Sequence, residues 1–340
     1  MIMRCIQRKH SGFVIVVVLS MITMLVVFLL CFNRQSNKDL LTAQTQKETC
    51  RAYNCARSAL NICIAAIRNN SSFDADKTFT SLFSGKKNID IDSCRCSVEV
   101  VDENGKINLN KLIDEQGKPS KNTIEQLLRL IDLLNRQTGP KIDYSIVPAI
   151  VDWIDSDEIV NFAAPFKGEN SGAESSYYMQ LNPSYKCQNL PLKTIDEILL
   201  VKGVSQETFE RIRNYVTVYG DGKININSAP REVIESLSDK LDSSLAQAII
   251  DKRQYKPFET VAELRGFLWM TESMYNEIRD KLIITPAEKY YNITACAVNP
   301  EDYTINVTIK LVNSAKKIDI VRYTEFNRAP GKSNEKEKNG

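Results

Sequence analysis

The stretch FVIVVVLSMITMLVVFLLCF, Phe13–Phe32, carries no charge in twenty residues and follows the basic leader MIMRCIQRKHSG, which ends at Gly12. As a helix, such a run rises roughly 30 Å, the thickness of a bilayer's hydrocarbon core. A cleaved secretory signal would have a shorter apolar core and a small-residue A-x-A-like site, and this segment has neither. Arg4, Arg8 and Lys9 precede the run, and nothing so concentrated follows it. The positive-inside rule therefore predicts a membrane-tethered exported protein with its N-terminus in the cytoplasm and the remaining chain outside it.

Beyond the membrane segment, no Pro or Gly occurs between Arg34 and Asn69. Leu40/Leu41, Cys55, Ala59, Ile62/Cys63 and Ala66/Ile67 recur at helical spacing. The pattern predicts one helix of some fifty residues, about 80 Å long, half in lipid and half amphipathic. The cluster Asn69-Asn70-Ser71-Ser72 marks its end.

The rest of the composition excludes several classes of function. The chain has 44 Lys+Arg against 42 Asp+Glu, a net charge of +2 that leaves no electrostatic footprint for nucleic acid. His10 is the single histidine and lies in the leader, so a processed chain would lack His-based triads and His-metal sites. Nine cysteines are present. With Cys5 in the leader and Cys31 in the span, Cys50, Cys55, Cys63, Cys94, Cys96, Cys187 and Cys296 face the outside. Their odd count leaves at least one unpaired or paired between chains. Cys94-x-Cys96 does not have zinc-ligand spacing, and small buried hydrophobes are the alternative to disulfides.

Residues 93–101 alternate as a strand with Cys94, Cys96, Val98 and Val100 on one face, and the turn Glu103-Asn104-Gly105 follows. Helical periodicity fills 121–136, 144–154, 194–200, 205–218, 230–238, 242–254, 260–266 and 271–282. Strand patterns return at 290–298, 303–312 and 317–324. Strand, helices, then strands again predicts an α+β fold, a helical insertion inside a sheet domain. The expected divisions are a leader (1–12), a transmembrane segment (13–32), a sheet-bearing part (33–110), the helical insertion (111–285), returning strands (286–325) and a disordered tail (326–340).

Several motifs together carry a resemblance. The leader, Gly12, Phe13 and the apolar run resemble the class III signal of type IV pilins and pseudopilins. Val17 stands where most pilins carry a Glu that accepts the N-terminal amine of a neighbouring subunit. Asp102-Glu-Asn-Gly-Lys-Ile-Asn-Leu-Asn110, Val151-Asp-Trp-Ile-Asp-Ser-Asp-Glu158, Gly172-Ala-Glu174 with Tyr177/Tyr178, Leu190–Ile198 and Ile224–Ile234 follow in order. This set is similar to the minor pseudopilin K family of type II secretion systems.

The resemblance implies a pilin-like long N-terminal helix packed on a small antiparallel sheet, with a large all-helical, SAM-like insertion. It implies a structural subunit, not an enzyme, that caps the secretion pseudopilus at its tip. Leader cleavage would fall after Gly12, with methylation of Phe13. The implied partners are minor pseudopilins of the I and J types, the prepilin peptidase, the inner-membrane assembly platform and the inner membrane. With Val17 in place of the acid, the subunit cannot accept that amine pair from another stacked above it, which suits a tip.

Gly105-Lys-Ile-Asn-Leu-Asn and Gly222-Lys-Ile-Asn-Ile-Asn are near-repeats, and each predicts a turn, a short strand and a following helical unit. The 246–264 stretch resembles a helix-hairpin-helix unit, which suggests the alternative of a membrane-anchored, pilus-associated DNA-uptake protein. Its hairpin Ser238-Asp239-Lys240-Leu241-Asp242 lacks Gly and carries two carboxylates that repel phosphate, so no nucleic acid is expected.

Asp152, Asp155, Asp157, Glu158, Glu169 and Glu174 crowd one long loop region, which needs an ordering device. Hard oxygen donors of this density suit Ca²⁺. The family resemblance assigns Asp155, Asp157 and Glu174 as candidate ligands. Read instead as a catalytic pair, Asp155 and Asp157 lack any accompanying nucleophile motif, oxyanion donors or cofactor loop.

Overall fold

The structure, a computed structural model, describes residues 11–69, 85–91, 94–161, 171–298, 302–312 and 317–328. Helix α1, Ser11–Asn69, runs unbroken for 59 residues, about 90 Å at the α-helical rise. Its first half is bare: Phe13 is 71% exposed and Leu29 59%. Among the described residues it is the one helix long and apolar enough to cross a membrane.

The second half of α1 buries Ala52, Cys55, Ala56, Ala59, Leu60, Cys63 and Ile67, spaced three or four apart along one stripe. Leu40, Leu41 and Ile62, expected on this face, are exposed. The sheet covers the helix only from Ala52 onward, and Ile62 falls off the stripe.

That sheet has five antiparallel strands in the order β1 (Lys87–Ile91), β2 (Cys94–Asp102), β7 (Glu288–Val298), β8 (Asp302–Val312), β9 (Lys317–Arg328). Its inner face presents Cys94, Cys96, Val98, Val100, Tyr291, Ile293, Ala295, Ala297 and Ile309 to α1. The polar pentad of β1, paired Lys87↔Val98 through Ile91↔Cys94, carries too little hydrophobic signal to be read as a strand. β9 extends through Arg328, so Phe326–Arg328 belong to the sheet rather than to a tail. The expected disordered tail from residue 329, the leader residues 1–10 and the helix-end cluster 70–72 lie outside the described residues.

Between β2 and β7 sits the insertion, with its own core. Helices α2 (Lys121–Arg136), α3 (Ile146–Ile154), α4 (Ser175–Tyr178), α5 (Gln206–Ile212), α6 (Arg231–Glu235), α7 (Ser243–Tyr255) and α8 (Glu272–Ile278) carry most of it. The insertion is not purely helical. β3 (Ile107–Asn108) pairs parallel with β4 (Val216–Thr217), and β5 (Ile224–Asn225) pairs parallel with β6 (Leu282–Ile283).

The two glycine-led repeats open these two parallel pairs, and their following asparagines do the same work. Asn110 Oδ1 accepts from Leu192 N at 2.7 Å while its Nδ2 donates to Leu192 O at 2.9 Å. Asn227 treats Phe258 identically, at 2.8 and 2.9 Å. Each anchored residue then leads into a Thr–Glu capping box, Thr194/Glu197 in the first unit and Thr260/Glu263 in the second. The insertion is thus two copies of one design joined side by side.

The joint to the sheet is polar and buried. Asp102 Oδ2 accepts from Ser228 Oγ at 2.7 Å and Asn225 Nδ2 at 2.9 Å, and its Oδ1 accepts from Asn104 N at 3.0 Å. Asn104 in turn donates to Glu288 O at 3.1 Å and accepts from Tyr290 N at 2.8 Å. A Cβ on Gly105 would meet the Ser228–Ala229 backbone at 2.8 Å, so only Gly permits this closeness. At the far side, Arg322 of β9 pairs with Asp196 of the first unit.

Candidate metal centre

Helix α3 is buried on every side, from Ile146 to Ile154, which fixes its C-terminus inside the insertion. Asp152 lies in its last turn and Asp155 caps it, with Asp155 N donating to Val151 O at 3.0 Å. Three residues apart, the two carboxylates share a helix face. Glu174, the residue before α4, meets them from the other side. Packing of Trp153 edge-on to Tyr178, with centroids 5.0 Å apart, holds α4 against α3. All three acids are buried, and one oxygen from each lies within 4.8 Å of the others.

Asn161 partly satisfies the cluster. Its N and Nδ2 donate to Asp152 Oδ1 at 3.1 and 2.7 Å, and its Nδ2 to Asp155 Oδ2 at 3.1 Å. Asp152 Oδ2, Asp155 Oδ1 and both Glu174 oxygens find no hydrogen-bond partner among the described residues. Burial pushes Asp152 up to about 6 against the Asn161 hydrogen bonds. Burial, then the Asp157 and Asp152 charges, pushes Asp155 to about 7. Glu174 rises to about 8, by burial first and then by repulsion from Asp152, Asp155, Glu158 and Asp157.

Four unsatisfied oxygens on three buried acids make an unstable arrangement unless protons or a cation fill it. Carboxylate oxygens converging from a helix end and a loop are the donor set of a hard divalent cation, and the residues present fit Ca²⁺. The structure brings Asp155 and Glu174 together as expected, but the third acid is Asp152. Asp157 is exposed and accepts from Ile159 N at 2.7 Å. Two residues past Asp155, it is not among the converging acids, whereas Asp152 stands at the i,i+3 spacing that puts two side chains on one helix face. Glu158 is spent on Ser175, accepting from its Oγ at 2.9 Å and its N at 3.2 Å. Glu169 lies outside the described residues, and Gly12 and Phe13 sit in the first turn of α1.

Gly172 presses on this cluster: a Cβ there would come within 1.9 Å of Asp152 Oδ2 and 2.8 Å of Pro148 O. Gly172→Ala is expected to lower the stability of the insertion by about 1–3 kcal/mol. A thermal melt of the full chain in detergent measures it, and an unchanged Tm refutes the tight approach.

A half-bare helix seated on an antiparallel sheet that carries an inserted helical head defines a pilin-class subunit. Models of the family described as type II secretion system protein K match residues 105–221 and 224–274. The chain belongs to that family, and the two matched spans fall on the two repeated units. The type II secretion system protein K of Pseudomonas aeruginosa is 27% identical over 164 residues, 48% of this chain and 46% of that protein. The Aeromonas hydrophila protein of the same name is 30% identical over 123 residues, 34% of this chain and 35% of that one. The chain thus spans under half the length of the curated relatives it matches. A chain of the crystal structure of the GspK-GspI-GspJ complex from the enterotoxigenic Escherichia coli Type 2 Secretion System superposes with a TM-score of 0.64. At 20% identity it covers 86% of this chain and 99% of its own, and establishes the shared fold. None of these relatives is a DNA-uptake protein, and the DNA-uptake alternative finds no support. The acids of the 238–242 hairpin are engaged internally: Asp239 pairs with Arg129 at 2.9 Å and Asp242 caps α7.

Proposed function

We propose that this chain is a minor pseudopilin that caps the tip of the type II secretion pseudopilus and takes part in its assembly and in protein export. The observation that carries the reading is the division of α1. Its end, from Ala52 onward, is seated on its own sheet, and its beginning, Phe13–Phe32, offers an uncovered apolar rod to lipid and to sister helices. Charge-free Val17 lies on that bare half, so the rod gives no internal acid to a subunit above. The two-unit head is too bulky for a shaft and suits an end.

On this reading, the leader is cut after Gly12 by the prepilin peptidase and Phe13 is methylated. The N-terminus faces the cytoplasm at the assembly platform, and the head stands in the periplasm. The work is mechanical rather than catalytic. Asp152, Asp155 and Glu174 hold Ca²⁺, whose charge lets the three acids stay ionised inside the head. The full chain, solubilised in detergent, is expected to co-purify with I- and J-type partners, and its intact mass to correspond to a chain beginning at methylated Phe13. Elution alone, with residues 1–12 retained, sinks the proposal.

A further inference from the structure

Small residues line both sides of one part of the contact between α1 and the sheet; Leu60 and Ile67 on the helix and Val98, Val100, Tyr291, Ile293 and Ile309 on the strands fill the rest. Ala52, Cys55, Ala56 and Ala59 on the helix face Cys94, Cys96, Ala295 and Ala297 on the strands, and all are buried. Side chains this small let helix and sheet approach closely there, and the thiols of Cys55, Cys94 and Cys96 meet, with the buried thiol of Cys63 further along the same helix stripe. They are unlinked in the structure, and the Cys55 thiol lies within hydrogen-bonding reach of both Cys94 and Cys96. From this juxtaposition we propose that Cys55 and Cys94 form a disulfide that staples the long helix to the second strand, with Cys96 left as a buried neighbouring thiol.

The proposal rests on the periplasmic placement of the head, where such bonds form and persist. A thiolate of the pair attacks a disulfide of a periplasmic thiol–disulfide oxidoreductase and displaces one of its thiolates, giving a mixed disulfide. The second thiolate of the pair then attacks that mixed disulfide and displaces the other. Cys55 and Cys94 together lose two electrons and two protons, and the oxidoreductase leaves as its dithiol. Burial, reinforced by the neighbouring thiols, pushes Cys55 up to about 12. Thiolate is scarce once the seam closes, so the bond forms as the helix docks and is afterwards shielded from exchange. The bond closes a loop of roughly 40 residues and ties the helix to the second strand where the facing side chains are small.

The test is a non-reducing map of the full chain taken from cell envelopes, with free thiols alkylated under acid-quenched, denaturing conditions. Trypsin separates the three cysteines onto Ala52–Arg57, Asn88–Arg95 and Cys96–Lys106. The expected result is the first two peptides joined and the third alkylated. Alkylation of both Cys55 and Cys94, or linkage of Cys55 to any other cysteine, overturns the proposal. Protease added to spheroplasts separates the two readings. Reduced thiols in a chain that is digested defeat the disulfide and leave the topology standing, whereas a protected chain defeats both. Independently, a reductant is expected to lower the Tm of the full chain by about 5–10 °C and to leave Cys55→Ala unmoved. Equal response in both overturns the proposal as well.

Discussion

Calcium is expected to raise the Tm of the full chain in detergent by about 5–10 °C at pH 8 and far less at pH 5, at a concentration near a hundred times its Kd. Asp152, Asp155 and Glu174 have ordinary values of 3.8, 3.8 and 4.5 and are pushed to about 6, 7 and 8 when folded without metal. Each folded value lies above the unfolded one, so the metal-free fold holds protons that the unfolded chain releases. The stability this contributes is complete below about pH 4 and is lost as pH rises through 6 to 8. Calcium bound there would replace those protons and bind best when they are gone, so its effect is expected to grow over the same window.

Glu174→Gln separates this account from ordinary packing. It removes one charge at constant shape, so the metal-free variant is expected to be more stable than the native chain at pH 8. Its calcium response should be largely lost. Melts across pH 5–8, with chelator and with calcium, give the answer. A native chain that melts alike in both at pH 8 refutes the metal centre.

Residues whose roles follow from local chemistry were legible in the sequence. The uncharged Phe13–Phe32 run and the Pro- and Gly-free stretch behind it specify α1, because helix length depends only on neighbours in the chain. α2 spans Lys121–Arg136, matching its periodicity, since its apolar stripe is long and regular. What the sequence hides depends on distant partners. β1 reads as polar because only its alternate residues touch the core, and its pairing with β2 decides it. The parallel pairs of the insertion are two residues long, too short for any pattern to announce. In the buried acid cluster, the density of acids is visible in one dimension. Which acids converge is not, because the choice of Asp152 over Asp157 depends on where α3 ends and on Gly172 allowing the loop to close over it. The equivalence of Asn110 and Asn227 lies between these cases: the repeats are plain in the sequence, but their shared grip on Leu192 and Phe258 needs the fold.

Asp102→Ala is expected to cost roughly 2–5 kcal/mol and to uncouple the sheet domain from the insertion. The side chain is enclosed where the chain leaves the sheet for the insertion, one of the two crossings between the cores, and burial raises its pKa while hydrogen bonds from Ser228, Asn104 and Asn225 oppose the rise. Removing it takes the acceptor from Asn104 N and Asn225 Nδ2 and leaves Ser228 Oγ only Asn225 O, at 3.4 Å. A group left unmatched in low dielectric forfeits its desolvation energy, which exceeds the net gain of a formed bond. Asp102→Asn would not rescue it, because an amide NH₂ in place of Oδ2 points a donor at the Ser228 and Asn225 donors. Conversely, Ser228→Ala removes one donor and leaves the carboxylate its other two partners, so it should cost only about 1 kcal/mol. In calorimetry of the full chain the native protein should show its sheet and insertion melting together, and Asp102→Ala should split the transition, with faster proteolysis near Asp102. A single transition with native Tm in Asp102→Ala would mean that the hydrophobic contacts across the joint, and not this carboxylate, hold the head on its rod.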